Sequence, residues 1–463
     1  RFEAYGWHVQ HVRDGNTNLD AIAEAIEKAK AVTDKPSLIK VTTIIGYGSP
    51  NKADTHDVHG AALGPDEVAA TRKHLGWEYP EFEVPADALS YFRKAVERGA
   101  KYEEEWNQLF SEYKSQYPED AATLERMVSG KLPEGWADAL PKYTPESKKD
   151  ATRNQSGATL NAIAGVLPEL IGGSADLAPS NKTLLKGLGD FQKGQYQNRN
   201  VRFGVREHGM GAICNGIALH GSGLIPYGAT FLVFTDYMRN SIRLSALAEA
   251  GVIWVMTHDS IALGEDGPTH QPVEHIASLR LIPQLIVIRP ADGNETSGAY
   301  KIAVEKAKAS HPQPTLLALS RQGLPNLAGS SIDAVAKGAY VVSDSDGTPD
   351  IIIIGTGGET YQCVEAGEKL RAEGKKVRVV SMPCWELFEE QDAAYKESVF
   401  PASVKKRLAV EAGVSFGWHR YVTDEGATLS VDTFGASAPG GVVLEKFGFT
   451  VDNIVVKAKE LLG

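Results

Sequence analysis

Cysteine is nearly absent. The chain holds three, Cys214, Cys363 and Cys384, far apart and with no CxxC pair. An odd, scattered set argues against a disulfide framework or a zinc site and fits a reducing compartment. Long apolar runs are lacking too, and none approaches the roughly 20 residues that a membrane-crossing helix needs. Positive charge is not in excess. Lys and Arg number 48 against 59 Asp and Glu, a net charge of −11, which gives no reason to expect a nucleic acid or an anionic membrane as partner. Local groups of Arg and His can still hold a phosphate against that global sign. There is no initiator Met and no signal or transit pattern, since the chain opens at "RFEAYGWHVQHV". An upstream segment is therefore expected to be missing.

What is present suits a soluble globular protein, with 42% apolar and 23% charged residues. At 463 residues the chain exceeds one ordinary core, so two or three domains are expected. Residues 1–110 read as the end of an α/β unit. In "LDAIAEAIEKAKAV", Leu19, Ile22, Ala23, Ile26 and Ala29 share one helical face. "PSLIKVTTIIG" follows as a strand running into a loop, "YGSPNKADTHDVHGAALG". Charged helices are expected from about Ser90 to Gly130. Residues 111–147 form a linker, closing on the proline-rich "LPEGWADALPKYTPESKKD". Residues 148–325 and 338–463 read as two further α/β units. Short apolar runs such as "LIPYGATF", "GVIWVMTHD" and "DIIIIGTGGE" alternate there with helical stretches, which predicts mostly parallel sheets covered on both faces.

Several stretches carry chemistry, each beside a plainer reading. "IIIIGTGGET" resembles a dinucleotide turn, but Thr360 stands where that fingerprint needs its third glycine, so an ordinary strand-to-helix turn is expected. "DTHDVHG" offers Asp54, His56, Asp57 and His59 as a metal site, a phosphate-binding loop or a plain polar loop. "THDSIALGEDGPTHQPVEH" crowds His258, Asp259, Glu265, Asp266, His270 and His275 at one strand end. No structural need calls for so many ionisable groups there, which points to a ligand or catalytic site. Arg321 in "ALSRQGLP" could hold a phosphate or a surface ion pair. Phe231, Phe234 and Tyr237 recur at helical spacing, as a core stripe or as a platform for a flat ring. In "FGVREHGMGAICNGIAL", Glu207 starts an apolar segment expected to be a buried helix; either Arg206 satisfies its carboxylate or it has a proton to move.

Taken together and in this order, "GGSADLAPSN", "RFGVREHGMGAICNGIAL", "THDSIALGEDGPTHQP", "RPADGNE", "ALSRQGLP" and "FGASAPGG" resemble the transketolase family over essentially the whole chain. The resemblance implies a thiamine-diphosphate-binding fold of α/β units with a Rossmann-like C-terminal domain that carries no catalytic group. Residues 1–110 would then be the last part of the diphosphate-binding domain and 148–325 the pyrimidine-binding domain. It implies transfer of a two-carbon ketol unit from a ketose phosphate such as xylulose 5-phosphate to an aldose phosphate. It also implies a homodimer with the cofactor between subunits. Glu207 matches the carboxyl that shares a proton with the aminopyrimidine, with its pKa raised by burial. Phe231, Phe234 and Tyr237 match the pyrimidine pocket, and Asp176, Ile45 and His59 further cofactor contacts. Arg153, Ser180, His258 and Arg321 match the sugar-phosphate end, Asp266 a substrate hydroxyl, His59 a catalytic histidine near the diphosphate and the substrate, and His270 one close to the reacting carbonyl.

One departure stands out. The family's "GDG" motif with its downstream Asn, which holds the diphosphate through Mg2+ or Ca2+, has no counterpart here, and "EDG" at Glu265–Gly267 is a different motif. No metal ligand is therefore assigned in this chain; the ligands are expected in the N-terminal segment. Other readings are a related thiamine-diphosphate enzyme, such as dihydroxyacetone synthase or deoxyxylulose-phosphate synthase, and a truncated, non-catalytic relative. By resemblance to photosynthetic relatives, the chloroplast stroma or the cytoplasm is expected.

Overall fold

A computed structural model describes all residues 1–463. The chain divides into two compact units, Arg1–Glu112 and Tyr113–Gly463. In the first, strands β1 (His8–Val12) and β2 (Ser37–Val41) pair in parallel around helix α1 (Leu19–Ala31), with α2 (Pro65–His74) and the long α3 (Ala86–Gln116) following. Helix α1 lies where periodicity predicts, capped by the Asn18 side chain on Ala21 N–H. Its buried residue, however, is Ala25, whereas Leu19 and Ile26 of the expected face are exposed.

The second unit opens with α4 (Pro118–Val128) and then the proline-rich stretch. That stretch is packed down rather than free. Trp136 and Leu140 enter the hydrophobic core, and Asn294 clasps the Tyr143 backbone on both sides at 2.9 Å. Next come α5 (Thr152–Ala164), β3 (Leu170–Ser174), α6 (Ala178–Asn181), α7 (Glu207–Leu219), β4 (Ile225–Phe231), α8 (Arg239–Leu247), β5 (Ile253–Thr257), α9 (His275–Arg280), β6 (Ile286–Ile288), α10 (Gly293–Ala307) and β7 (Thr315–Leu319). The five strands form one parallel sheet in the order β3-β4-β5-β7-β6. All are buried on both faces, which is why each reads as an unbroken apolar run. Register aligns Phe231 with Thr257 and Thr257 with Leu319, so the segments after β4, β5 and β7 emerge side by side at the carboxyl edge.

A second sheet is built from β8 (Tyr340–Ser343), β9 (Ile351–Gly355), β10 (Val377–Ser381), β11 (Arg407–Val410) and β12 (Ala427–Leu429), in the order β12-β11-β9-β10-β8. Only the β8 edge is antiparallel, so the expectation of mostly parallel α/β architecture holds.

The two sheets are joined by a buried charge network. Arg289 bonds Asp259 at 2.8 Å and Glu359 at 2.5 Å, while Arg280 forks onto Glu411 at 3.0 and 3.1 Å. Burial works against the Arg289 charge, but Glu359, Asp259 and Glu411 outweigh it and hold its pKa raised. This also settles "IIIIGTGGET". Gly357 has φ +56°, and a Cβ there would lie 2.6 Å from Arg289 Nε. Its glycines admit a guanidinium, which fills the crevice a dinucleotide would need.

All three cysteines are free and buried. No helix is long and apolar enough to cross a membrane.

Candidate active site

Four neighbouring strand ends deliver the site in the second unit. After β3 the chain turns sharply at Asp176, which holds a left-handed φ of 61°. β4 ends on Phe231 and runs directly into a 3-10 helix, Leu232–Tyr237. Three residues per turn put Phe231, Phe234 and Tyr237 on one line. The core-stripe reading fails here, since Phe231 is buried, Phe234 half-buried and Tyr237 exposed. The rings of Phe231 and Phe234 stack at 5.6 Å and 8°. Asp176, Glu207, Phe234 and Tyr237, with Ala175, Leu177 and Val205, line one pocket of about 430 Å³. An aromatic wall with carboxylates at its side suits a flat, nitrogen-bearing ring such as an aminopyrimidine.

Glu207 is the first residue of α7, where the helix dipole favours a carboxylate. Two expectations about it are corrected. It is half-buried rather than buried, and α7 keeps Ile213 and Leu219 exposed, burying only Met210, Gly211, Cys214 and Asn215. Nor does Arg206 satisfy it, because that guanidinium donates to the Phe203 carbonyl at 2.9 Å. The Glu207 carboxylate therefore faces the pocket without an arginine partner.

Beside this pocket lies a cationic cluster. Thr152 and Ser320 clamp the start of α5 to the end of β7: Ser320 N–H donates to Thr152 Oγ1 at 2.7 Å and Thr152 N–H to Ser320 Oγ at 3.0 Å. The next residues, Arg153 and Arg321, are thereby brought close enough to feel one another. Burial first, then Arg321, lowers the Arg153 pKa. Arg153 Nη1 donates to the Ser180 carbonyl at 3.0 Å and lies 3.2 Å from His258 Nε2. His258 follows β5 in a left-handed conformation, φ 62°, with its ring 3.7 Å from that of Phe231. Burial, then Arg153, Arg321 and His270, push its pKa down to about 3, so it is neutral near pH 7.

His270 sits edge-on to Phe234 at 5.5 Å. Its loop, with the exposed Asp266, is pinned from the second sheet. Gln271 donates to the carbonyls of Gly264 and Ala436 at 3.0 and 2.9 Å, and Ser437 Oγ donates to Glu265 O at 2.6 Å. Thr257, Asn181, Gln271 and Ser437 carry no functional mark of their own in the sequence; the available signal is their place inside "THDS", "GGSADLAPSN", "THQP" and "FGASAPGG".

Ile45 and His59 belong to the first unit and are exposed there. Their loop is ordered by Glu67, which accepts from Ser49 Oγ and, at 3.0 and 2.9 Å, from Asn51. Those bonds hold its carboxyl down to about 2. In "DTHDVHG" the one ion pair is exposed, His56 to Asp57 at 3.3 Å, and no three ligand atoms converge as a metal site needs. Elsewhere His275 meets Asp236 at 3.1 Å and Glu274 at 3.7 Å, an arrangement whose carboxylates are both exposed.

Three family descriptions match the chain in succession: the transketolase thiamine diphosphate binding domain over residues 1–133, the transketolase pyrimidine binding domain over 148–326, and the transketolase-like C-terminal domain over 338–450. Over its whole length the chain is 70% identical to a transketolase of Nostoc sp., covering 69% of that protein. It is 60% identical to a chloroplastic transketolase of Solanum tuberosum, covering 62% of it. A Pichia stipitis transketolase solved in complex with xylulose 5-phosphate superposes with a TM-score of 0.93 at 45% identity, over 100% of this chain and 68% of that one. The chain thus spans about two thirds of the length of these relatives.

Proposed function

This chain belongs to the transketolase family, and from that premise we propose that it transfers a two-carbon ketol unit between a ketose phosphate and an aldose phosphate. The observation that carries the reading is the adjacency of two unlike sites: the ring pocket of Asp176, Glu207, Phe234 and Tyr237, and the Arg153–His258–Arg321 cluster beside it. Thiamine diphosphate, when bound, supplies the nucleophilic carbon that takes up the two-carbon unit. The residues do the rest. Phe231, Phe234 and Tyr237 hold the pyrimidine flat. Glu207 holds a proton at its ring nitrogen. Arg153 and Arg321 receive the phosphoryl group, with Ser180 and His258 at their side, and so orient the sugar. Asp266 accepts from a sugar hydroxyl, and His270 moves a proton at the reacting carbonyl. In the first unit, Ile45 and His59 are assigned to the cofactor and His59 also to substrate.

A divalent ion, Mg2+ or Ca2+, is proposed for the diphosphate from the family alone. The pocket mouth leaves Val205 and Tyr237 exposed, and α3 exposes Tyr91, Phe92, Val96 and Trp106. Both support a homodimer whose partner closes the site. Chloroplastic relatives in Solanum tuberosum and Zea mays support a chloroplast stroma, with the cytoplasm as the alternative. The test is ketol transfer from xylulose 5-phosphate to ribose 5-phosphate by the protein at its natural length, with thiamine diphosphate and Mg2+. Turnover is expected; its absence with the cofactor bound would sink the proposal.

A further inference from the structure

His258 faces a partner that can only donate. A guanidinium has no acceptor, so Nε2, 3.2 Å from Arg153 Nη1, must present its lone pair. The imidazole is neutral, so its proton lies on Nδ1 and is donated to Thr257 Oγ1 at 2.8 Å. The Thr257 hydroxyl proton then goes to Asn181 Oδ1 at 2.8 Å. Asn181 Nδ2 donates onward to Ser174 Oγ at 3.1 Å, and Ser174 shares a 2.6 Å bond with the Thr183 hydroxyl. Every member from His258 to Thr183 is buried. The direction of the whole chain is set from its arginine end, and with it the tautomer of His258.

That tautomer matters once an anion arrives. A phosphate oxygen that reaches Nε2 would set lone pair against lone pair unless a proton lies between them. A phosphate monoester gives up its second proton near pH ~6, so at neutral pH the free ligand brings none. Resting on the phosphoryl subsite proposed above, we infer that binding a phosphoryl group at Arg153, Arg321 and His258 takes up one proton, held between His258 Nε2 and a phosphate oxygen. The charged and titratable groups facing His258 are Arg153 on α5, Arg321 after β7 and His270 on the following loop. The near carboxylate, Glu265, lies 3.9 Å from Arg321. With two guanidiniums already present, the added proton is stabilised only when the dianion comes with it. Uptake therefore accompanies phosphate binding and is not a property of the empty site.

Calorimetry reads this directly. Ribose 5-phosphate, added without a ketose donor so that nothing turns over, is titrated into the natural-length protein loaded with thiamine diphosphate. The same titration is made in two buffers of different ionisation heat. Uptake close to one proton is expected at pH 8, falling toward zero at pH 5, where the ligand already carries the proton. Unphosphorylated ribose should show none. Thr257→Val removes the acceptor for Nδ1–H, so that once the phosphate draws the Arg153 guanidinium to itself the ring is free to put its proton on Nε2. Uptake at pH 8 should then fall well below one and affinity weaken about tenfold, while Thr257→Ser should restore both. Binding of ribose 5-phosphate at pH 8 without proton uptake would overturn the inference and leave ketol transfer standing. Undiminished uptake in Thr257→Val would remove Thr257 and its tautomer from the account. Failure of any sugar phosphate to bind would overturn both this inference and the subsite beneath it.

Discussion

In the proposed reaction the carboxylate at the first turn of α7 and two arginines, Arg153 at the start of α5 and Arg321 after β7, divide the chemistry between them. Glu207 is half-buried, and no arginine pairs with it, so its removal leaves no buried partner stranded. Glu207→Ala should lower ketol transfer by about 10²- to 10⁴-fold, with the thermal midpoint within a degree or two of the wild type. Turnover at the full rate would rule out the proton role. Arg321 is more exposed and has a distant carboxylate, Glu265 at 3.9 Å, a pair worth little in water. Its loss should therefore be felt by the ligand. Arg321→Ala should raise KM roughly ten- to a hundredfold for phosphorylated acceptors, the range of a charge-assisted hydrogen bond. KM for unphosphorylated acceptors should stay almost unchanged; equal shifts for the two classes would remove Arg321 from the phosphate end.

At the scale of elements, the placement of Glu207 depends on how closely α7 lies on α8. A Cβ at Gly211 would stand 2.2 Å from Ser241 Oγ and 2.7 Å from its Cβ, and Ser241 is itself fixed to the Met238 carbonyl at 2.8 Å. Gly211→Ala should cost about 1–3 kcal/mol by overpacking, read as a lower thermal midpoint, and should raise the thiamine diphosphate concentration needed for half activity as α7 is pushed away. An unchanged midpoint would mean that the helices part freely. Helix α7 and strands β4, β5 and β9 are legible in the sequence because each is local: an apolar run bounded by Gly, Pro or Asp. In α1 the expected face holds the half-buried Ile22 and Ala29 but leaves Leu19 and Ile26 exposed, since periodicity says which residues share a face and not what that face meets. The 3-10 run after β4 was equally hidden. Spacings of three suit α- and 3-10 helices alike, yet only the latter lines up all three rings.

Across the whole second unit, buried charge couples the two sheets. Glu295 on α10 accepts from Tyr340 Oη at 2.7 Å and from Ser381 Oγ at 2.5 Å, both on the second sheet. Burial, then the like charge of Asp292, push its carboxyl up from an ordinary 4.5 to about 7. The native state thus keeps a proton that the unfolded chain has released. Stability tied to Glu295 is fully present below about pH 4.5 and is lost as pH rises through about 7. In Glu295→Gln that part of the slope disappears. The difference in thermal midpoint, variant minus wild type, should climb between pH 4.5 and 8; a flat difference would place Glu295 outside the pH response.

The sequence by itself determined the parallel α/β order, the strand ends on which the polar residues fall, and the family, because runs, turns and motifs are properties of neighbouring residues. Tertiary structure decided the rest. Arg153 meets Arg321 only because Thr152 and Ser320, 168 residues apart, bond one another. The tautomer of His258 is set by an arginine 105 residues away and by a buried chain reaching Asn181 and Ser174. The glycine turn of β9 holds Arg289 instead of a dinucleotide because another sheet's guanidinium arrives there first. Each is a contact between segments that carry no mark of each other. Its geometry exists only once folding has closed the intervening loops and excluded water from the groups that meet.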